Sequence, residues 1–388
     1  MTSDSPLPSQ SMKPFQCAVL SAVKHAYVAR GVASHPRFKL AVVADDADRP
    51  DWTHERNQAL ADEYRIPYLR DINKAIADYS VNVAVVCSEV DRHCCLSILA
   101  AEAGLHVVQD KPMSNSLAEC DRVIEAVERN QVKFLMWNRN FLPAVLQSRD
   151  LIASGAIGSP YAIHVDFFFS KDAGPPKGSR RPGDPSINWL EYQIAAHRDH
   201  SDGGLGFEPI GELQIEGIYP LAYIRMIIGA EVRRVFARTA TSFHQVHADH
   251  DIDDLATVTL EMDRGLLGSL CLGRIGAASH PDLGEIRIHV LGTDGGLVVS
   301  EARPEVTIYY RGQPTTEFRH RRVASDNDFL LMENFAQAID TGGKTILDAQ
   351  AGRAICAVVQ AALESARSDT PVDVAIFDER GKTAYSIL

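Results

Sequence analysis

The sequence predicts a two-part α/β chain: a doubly wound parallel sheet first, then an α+β domain with a large, mostly antiparallel open sheet. Three observations predict it. Short, almost continuously apolar runs alternate with helical patterns through the first 140 residues. From about residue 155 the pattern changes to strands with one buried face, which follow one another across tight turns. The length of 388 residues is enough for two domains and a large buried core.

Residues 1–14 are rich in Ser and Pro and hold no apolar core, so they are expected to form a disordered tail, not a signal peptide. The first domain is expected over 15–140. Its strands are placed at 17–20, 38–44, 81–87 (VNVAVVC), 105–109 and 132–137, with helices over 26–34, 52–64, about 91–103 and 116–130. Asp91 is placed as the cap of the third helix, and Gly104 where a helix end favours positive φ. Alternation at this spacing implies right-handed βαβ units. The second domain is expected over 141–388. A strand over 161–170 puts Tyr161, Ile163, Val165, Phe167 and Phe169 on one side, and His164 and Asp166 on the other. A Gly- and Pro-rich loop over 171–188 and one helix over 212–228 follow. Strands are then placed at 234–241, 255–262, 266–274, 286–291 and 306–310, and helices near 328–341 and 349–368.

The formal net charge of −12 argues against nucleic acid and against an anionic membrane as partners, because both require cationic surface. No apolar run approaches the roughly 18 residues that a spanning helix needs. The seven cysteines follow no framework spacing, so free thiols in a reduced cytoplasm are expected.

A dinucleotide-binding first unit needs a glycine-rich turn after strand one and an acid after strand two. The acid is present as Asp45, with Asp46 beside it. A carboxylate there bonds the ribose hydroxyls of NAD and repels the extra phosphate of NADP. The glycines are absent: the turn reads Ser21-Ala22-Val23-Lys24-His25-Ala26, with β-branched Val23 where backbone should approach the pyrophosphate. The helix N-terminus remains available for an anion, and Lys24 and His25 add positive charge.

Several segments, in order, resemble the Gfo/Idh/MocA oxidoreductases across nearly the whole chain, from about Phe15 to Asp373. Val85-Val86-Cys87-Ser88 followed by His93 resembles a family loop and histidine. The stretch from Gly104 to Met113 resembles the family's G-K-H-V-x-x-E-K-P, with Asp110 in place of Glu. Asn138 to Pro143 resembles N-x-R-F-x-P; Ser154-Gly155-Ala156-Ile157-Gly158 is also similar. Glu216 to Leu221 resembles D-x-G-x-H/Y-x-x-D.

The resemblance implies a Rossmann domain and an open C-terminal sheet that carries a dimer or tetramer interface. It implies hydride transfer between NAD(P) and a secondary alcohol of a sugar, polyol or related compound; the Asp45 carboxylate favours NAD over NADP. Lys111 and Tyr219 are then the catalytic candidates: a cation for the developing alkoxide, and a phenol at the family's His/Tyr position. Cofactor contacts fall to Ser21, Val23, Lys24, His25, Asp45, Ser88, His93, Asp110 and Lys111. Substrate contacts fall to Arg139, Asn140, Glu216, His197 and His200. The family's Asp is Ile215 here. Glu216 is adjacent but lies about 100° round a continuous helix, and Glu212 shares a face with Glu216; either is a candidate substitute. His197 and His200 with Glu208 or Glu212 do not make a metal site by spacing alone, and no metal is expected. His244, His247 and His250 with Asp249 and Asp251 are expected in an exposed polar loop. Two rivals stay open: an enzyme that retains NAD and uses transient oxidation for elimination or epimerisation, and a non-redox ligand-binding relic.

Overall fold

The structure, a computed structural model, describes residues 13–138, 143–169, 190–191, 194, 209–274, 286–300, 305–310, 316–319, 324–377 and 383–385. The expected tail falls outside these residues except for Lys13 and Pro14.

The first sheet has six parallel strands in the order β3-β2-β1-β4-β5-β6. They are β1 (Phe15–Leu20), β2 (Phe38–Ala44), β3 (Tyr68–Leu69), β4 (Val83–Val86), β5 (His106–Gln109) and β6 (Phe134–Met136). All four residues of β4 are buried, as the unbroken apolar run requires of a strand covered on both faces. The covering helices are α1 (Ala26–Ser34), α2 (Asp51–Tyr64), α3 (Ile72–Asp78), α4 (Val90–Glu102) and α5 (Leu117–Arg129). Ser116 caps α5 and Asp71 caps α3 through their side chains. Asp91 does not cap α4: Glu89 holds the cap position and Asp91 sits in the first turn. Gly104 has φ +78°. The two-residue β3 and short α3 are additions to the sequence expectation.

The second sheet has nine strands in the order β14-β13-β12-β11-β7-β10-β9-β8-β15. They are β7 (Pro160–Phe169), β8 (Val232–Ala240), β9 (Leu255–Met262), β10 (Leu267–Arg274), β11 (Ile286–Gly292), β12 (Gly295–Ser300), β13 (Glu305–Tyr310), β14 (Thr316–Arg319) and β15 (Val372–Asp373). Only the central β7–β10 pair is parallel; the other pairings are antiparallel. β12 occupies residues 295–296 that the sequence placed in a turn. β16 (Ala375–Phe377) and β17 (Thr383–Tyr385) form a separate hairpin. On β7, Ile163, Val165 and Phe167 are buried as expected, whereas Tyr161 at the strand start is exposed.

The remaining described helices are α6 (Pro143–Ala153), α7 (Glu212–Ile215), α8 (Ile218–Ile228), α9 (Gln245–Asp249), α10 (Ala324–Thr341) and α11 (Ala349–Ser368). The single helix expected over 212–228 is therefore broken. Gly217 sits at the break, where a Cβ would run into the carbonyl oxygen of Leu213. α10 packs on α1, and α11 packs on both α5 and β8. The C-terminal helices thus tie the two sheets into one core, in which Trp137, Tyr219, Tyr223 and Phe167 are among the largest fully buried side chains.

Candidate active site

The C-terminal ends of β1, β2, β4 and β5 converge where open parallel sheets bind ligands. Ser21, directly after β1, has φ +60°, the left-handed conformation that a glycine would adopt cheaply at this turn. Val23 turns inward and is 3% exposed. Its branched side chain therefore sits in the protein rather than over the cleft. The turn is braced from three directions: Ser21 N donates to Ala44 O (2.9 Å), Lys24 N to Cys87 O (3.1 Å), and Arg56 Nη1 to Val23 O (2.7 Å).

Asp45, after β2, is wholly enclosed. Arg92 Nη2 donates to its Oδ1 at 2.7 Å and Asn57 Nδ2 to its Oδ2 at 2.9 Å. Burial pushes the carboxyl up, but Arg92, Ser21 and the Asp46 amide outweigh burial and hold it below the usual range. Asp46 is the exposed acid of the pair and shares Arg92 at 2.8 Å. Asn57 and Arg92 escape a sequence reading because they lie 12 and 47 residues from Asp45.

Asp110 ends β5 with no exposure. Its Oδ2 pairs with His25 Nδ1 and its Oδ1 accepts the Lys111 amide at 2.8 Å. Burial raises its carboxyl, yet His25, His93 and Lys111 together bring it below the usual value. Burial lowers the His25 imidazole against the pull of Asp110. Lys24 is lowered to about 8, first by burial and then by the like charge of Lys111. Lys24, Lys111 and the start of α1, with the His25 imidazole beside them, form one donor-rich corner. That donor set fits an anionic pyrophosphate, and the inward turn of Val23 leaves the approach open.

Lys111 is 3% exposed. Its Nζ donates to Ile215 O at 2.7 Å, lies 4.8 Å from the centroid of the Tyr219 ring, and stands 3.8 Å from Glu216 Oε1. Tyr219 is fully buried and stacks on Phe167 at 6.0 Å. Glu216 reaches Lys111 because it occupies the break after α7; the 100° offset of a continuous helix does not apply. Arg274, the last residue of β10, donates from Nη2 to Glu216 Oε1 at 3.2 Å and from Nε to Glu212 Oε1 at 2.5 Å. Asp253 caps α7 by accepting the Leu213 amide at 2.8 Å; burial raises its carboxyl to about 6. Arg274 was missed by the sequence reading. A lone arginine closing the apolar run LGSLCLGR is the signal that could have found it.

His93 does not face the cleft. It is fully buried, with Nδ1 at 2.8 Å from Pro112 O and Nε2 at 3.0 Å from Ser88 O, and it stitches α4 to the segment after β5. Ser88 is buried too, its Oγ donating to Glu89 O at 3.0 Å. The histidine loop expected between strands is corrected: residues 245–249 form α9, and His244 and His247 are buried, bonded to Arg274 O (3.1 Å) and Asp253 O (3.0 Å). Arg139, Asn140, His197, His200 and Glu208 lie outside the described residues.

Comparisons with known proteins agree with this layout. Residues 22–138 match the oxidoreductase family's NAD-binding Rossmann fold, and residues 149–374 its C-terminal alpha/beta domain. An uncharacterised oxidoreductase of Bacillus subtilis is 24% identical over 353 residues, 89% of this chain and 92% of its own. The scyllo-inositol 2-dehydrogenase (NAD(+)) of the same organism is 25% identical, covering 76% of each chain. Among solved structures, an oxidoreductase from Agrobacterium radiobacter in complex with NAD+, L-tartaric acid and magnesium has a TM-score of 0.75 at 17% identity, covering 93% of this chain and 98% of its own. Levoglucosan dehydrogenase in complex with NADH has a TM-score of 0.74 at 19% identity, covering 94% and 100%. With both of its domains matched in order along a single chain, the protein belongs to the Gfo/Idh/MocA oxidoreductase family.

Proposed function

We propose that this chain is an NAD-dependent oxidoreductase acting between a secondary alcohol and its ketone on a sugar, polyol or related small molecule. The observation that carries the proposal is the buried Lys111 side chain, its Nζ set on the Tyr219 ring at the C-terminal edge of the parallel sheet, beside Lys24 and His25. Relatives named for inositols and levoglucosan support the substrate class, since these are polyhydroxylated rings.

A nicotinamide, when bound, supplies the hydride acceptor or donor. The protein supplies the rest. Lys24, His25 and the α1 N-terminus hold the pyrophosphate. Lys111 Nζ holds the reacting oxygen as it loses its proton, and the Tyr219 phenol exchanges that proton. A buried cation aimed at developing negative charge contributes far more than one in water.

The protein is further proposed to work in the cytoplasm as a homo-oligomer. The outer face of the nine-stranded sheet, where Leu267, Leu291 and Tyr309 are exposed, supports that association.

The function is tested by incubating the protein with NAD and a panel of sugars and polyols, myo-inositol included, while following reduced nicotinamide by absorbance. Turnover of any member supports the proposal. Nicotinamide that copurifies and is never consumed favours the retaining lyase or epimerase. A second reading, the ligand-binding relic, is favoured by the enclosure of Asp45, and dinucleotide binding by the folded protein would exclude it.

A further inference from the structure

Position 215 holds an aliphatic side chain, yet Lys111 has a carboxylate beside it. The carboxylate comes from Glu216, and it arrives through Arg274. Glu216, at the α7–α8 break, stands 3.8 Å from Lys111 Nζ, and its partner Arg274, on β10, comes from 58 residues away in sequence. Lys111, Glu216, Arg274 and Glu212 are each buried, with side-chain exposures of 3%, 7%, 3% and 0%. Among the described residues, Lys111 of the first domain is linked through Glu216 and Arg274 to Glu212 of the second.

Arg274 is itself held at both ends. Its amide donates to Asp254 O at 2.9 Å, and its carbonyl accepts from His244 Nε2 at 3.1 Å. Asp254 in turn accepts the amides of Ser242, Phe243 and His244 at 2.7–2.9 Å. These bonds fix the Arg274 backbone, and its planar guanidinium offers donors to two acceptors at once, which an ammonium cannot match in geometry. Here it reaches Glu212 with Nε and Glu216 with Nη2.

We propose that Arg274 is a positioning residue that sets the Glu216 carboxylate against Lys111, so that Glu216 serves as the counter-charge that position 215 lacks. The inference rests on Lys111 being the group that holds the reacting oxygen in the proposed reaction. Among the described residues, the charged and titratable groups around the Lys111 side chain include Lys24, His25 and Asp110 from the first domain, and Glu216, Arg274 and Tyr219 from the second.

The test is reductive methylation of the whole folded protein with isotopic formaldehyde, read at Lys111 by peptide mass spectrometry across a pH series. Only the free amine reacts, and a neighbouring carboxylate favours the ammonium. Glu216→Gln is expected to label Lys111 about tenfold faster at mildly alkaline pH, a change typical of losing one close charge partner. Arg274→Gln decides the positioning claim by its sign. Loss of a nearby cation alone would slow the labelling; release of Glu216 from its place would speed it. Faster labelling in Arg274→Gln is expected, with the profile only partly restored in Arg274→Lys, which returns the charge but not the two-acceptor geometry, and little changed in Glu212→Gln.

Equal Lys111 labelling in the wild type and Glu216→Gln, whether fast or nil, overturns the pairing. Slower or unchanged labelling in Arg274→Gln overturns the positioning role. Should Glu216→Gln fail to fold, Glu216→Asp keeps the charge but shortens its reach and is expected to change labelling in the same direction. The labelling needs neither substrate nor dinucleotide, so its outcome is separate from that of the oxidoreductase proposal.

Discussion

Asn57 donates to the Asp45 carboxylate at 2.9 Å and accepts the Ala22 amide at 2.6 Å. The acid at the end of β2 is thereby joined to the turn after β1. Asp45 thus braces the turn after β1 through Asn57, and Asp46 is the exposed acid of the pair.

Asp45→Ala is therefore expected to weaken NAD and NADP alike, because it loosens the turn that both require. It is also expected to destabilise the fold by about 2–4 kcal/mol, as the loss of a buried, charge-assisted network does. Calorimetry with both dinucleotides and thermal melts checks this. The Asp45 carboxyl lies below its unfolded value, so its contribution is present at neutral pH and is lost as pH falls through the folded value. The acid limb of the wild-type stability curve should be correspondingly steeper than that of Asp45→Asn.

Asp46→Asn is the complementary case. It is expected to weaken NAD several-fold while leaving NADP little changed, which narrows the preference between them. Losing selectivity at Asp45 instead of Asp46 would show that the enclosed acid opens to the ribose.

Lys24 loses its charge near pH 8 in the free protein. An anionic pyrophosphate favours the ammonium, so binding is expected to take up a proton around that pH. Dinucleotide affinity should fall by about tenfold between pH 7 and pH 9, as a single titrating charge predicts. Calorimetry in buffers of different ionisation heat measures the uptake, and Lys24→Met should abolish it.

Lys111→Met is expected to cut turnover by about a hundredfold or more, the usual result of removing one preorganised stabilising group. Dinucleotide affinity should change far less. Comparing kcat with the calorimetric Kd separates the two effects; a variant with full turnover removes Lys111 from the chemistry.

Gly217→Ala is expected to destabilise by about 1–3 kcal/mol, typical of forcing extra volume into a packed site. It should also lower turnover, because the break at Gly217 brings Glu216 and Tyr219 to Lys111. Melts and rates on one preparation check both.

Much of the fold was legible because burial on both faces leaves an unbroken apolar run, as in β4, and because burial on one face leaves alternation, as along β7 from Ile163 to Phe167. β3 was not legible: two residues carry no periodicity. The helix break after Ile215 was hidden because apolar spacing continues across it, and only the close approach of Gly217 to Leu213 reveals it. At the site, Lys111 and Tyr219 were found by local motif and do meet. Arg274 was not found, since its partners lie 58 and 62 residues away and ion pairing leaves no periodic trace. The left-handed conformation of Ser21 cannot be read from its residue type.

The measurement that bears most directly on the central claim is calorimetric titration of the folded protein with NAD, NADH, NADP and NADPH. Micromolar binding of an NAD form is the predicted result, with the pyrophosphate on the Ser21–His25 turn. Absence of binding by all four to well-folded protein would contradict the oxidoreductase assignment and leave a Rossmann fold that has given up its cofactor.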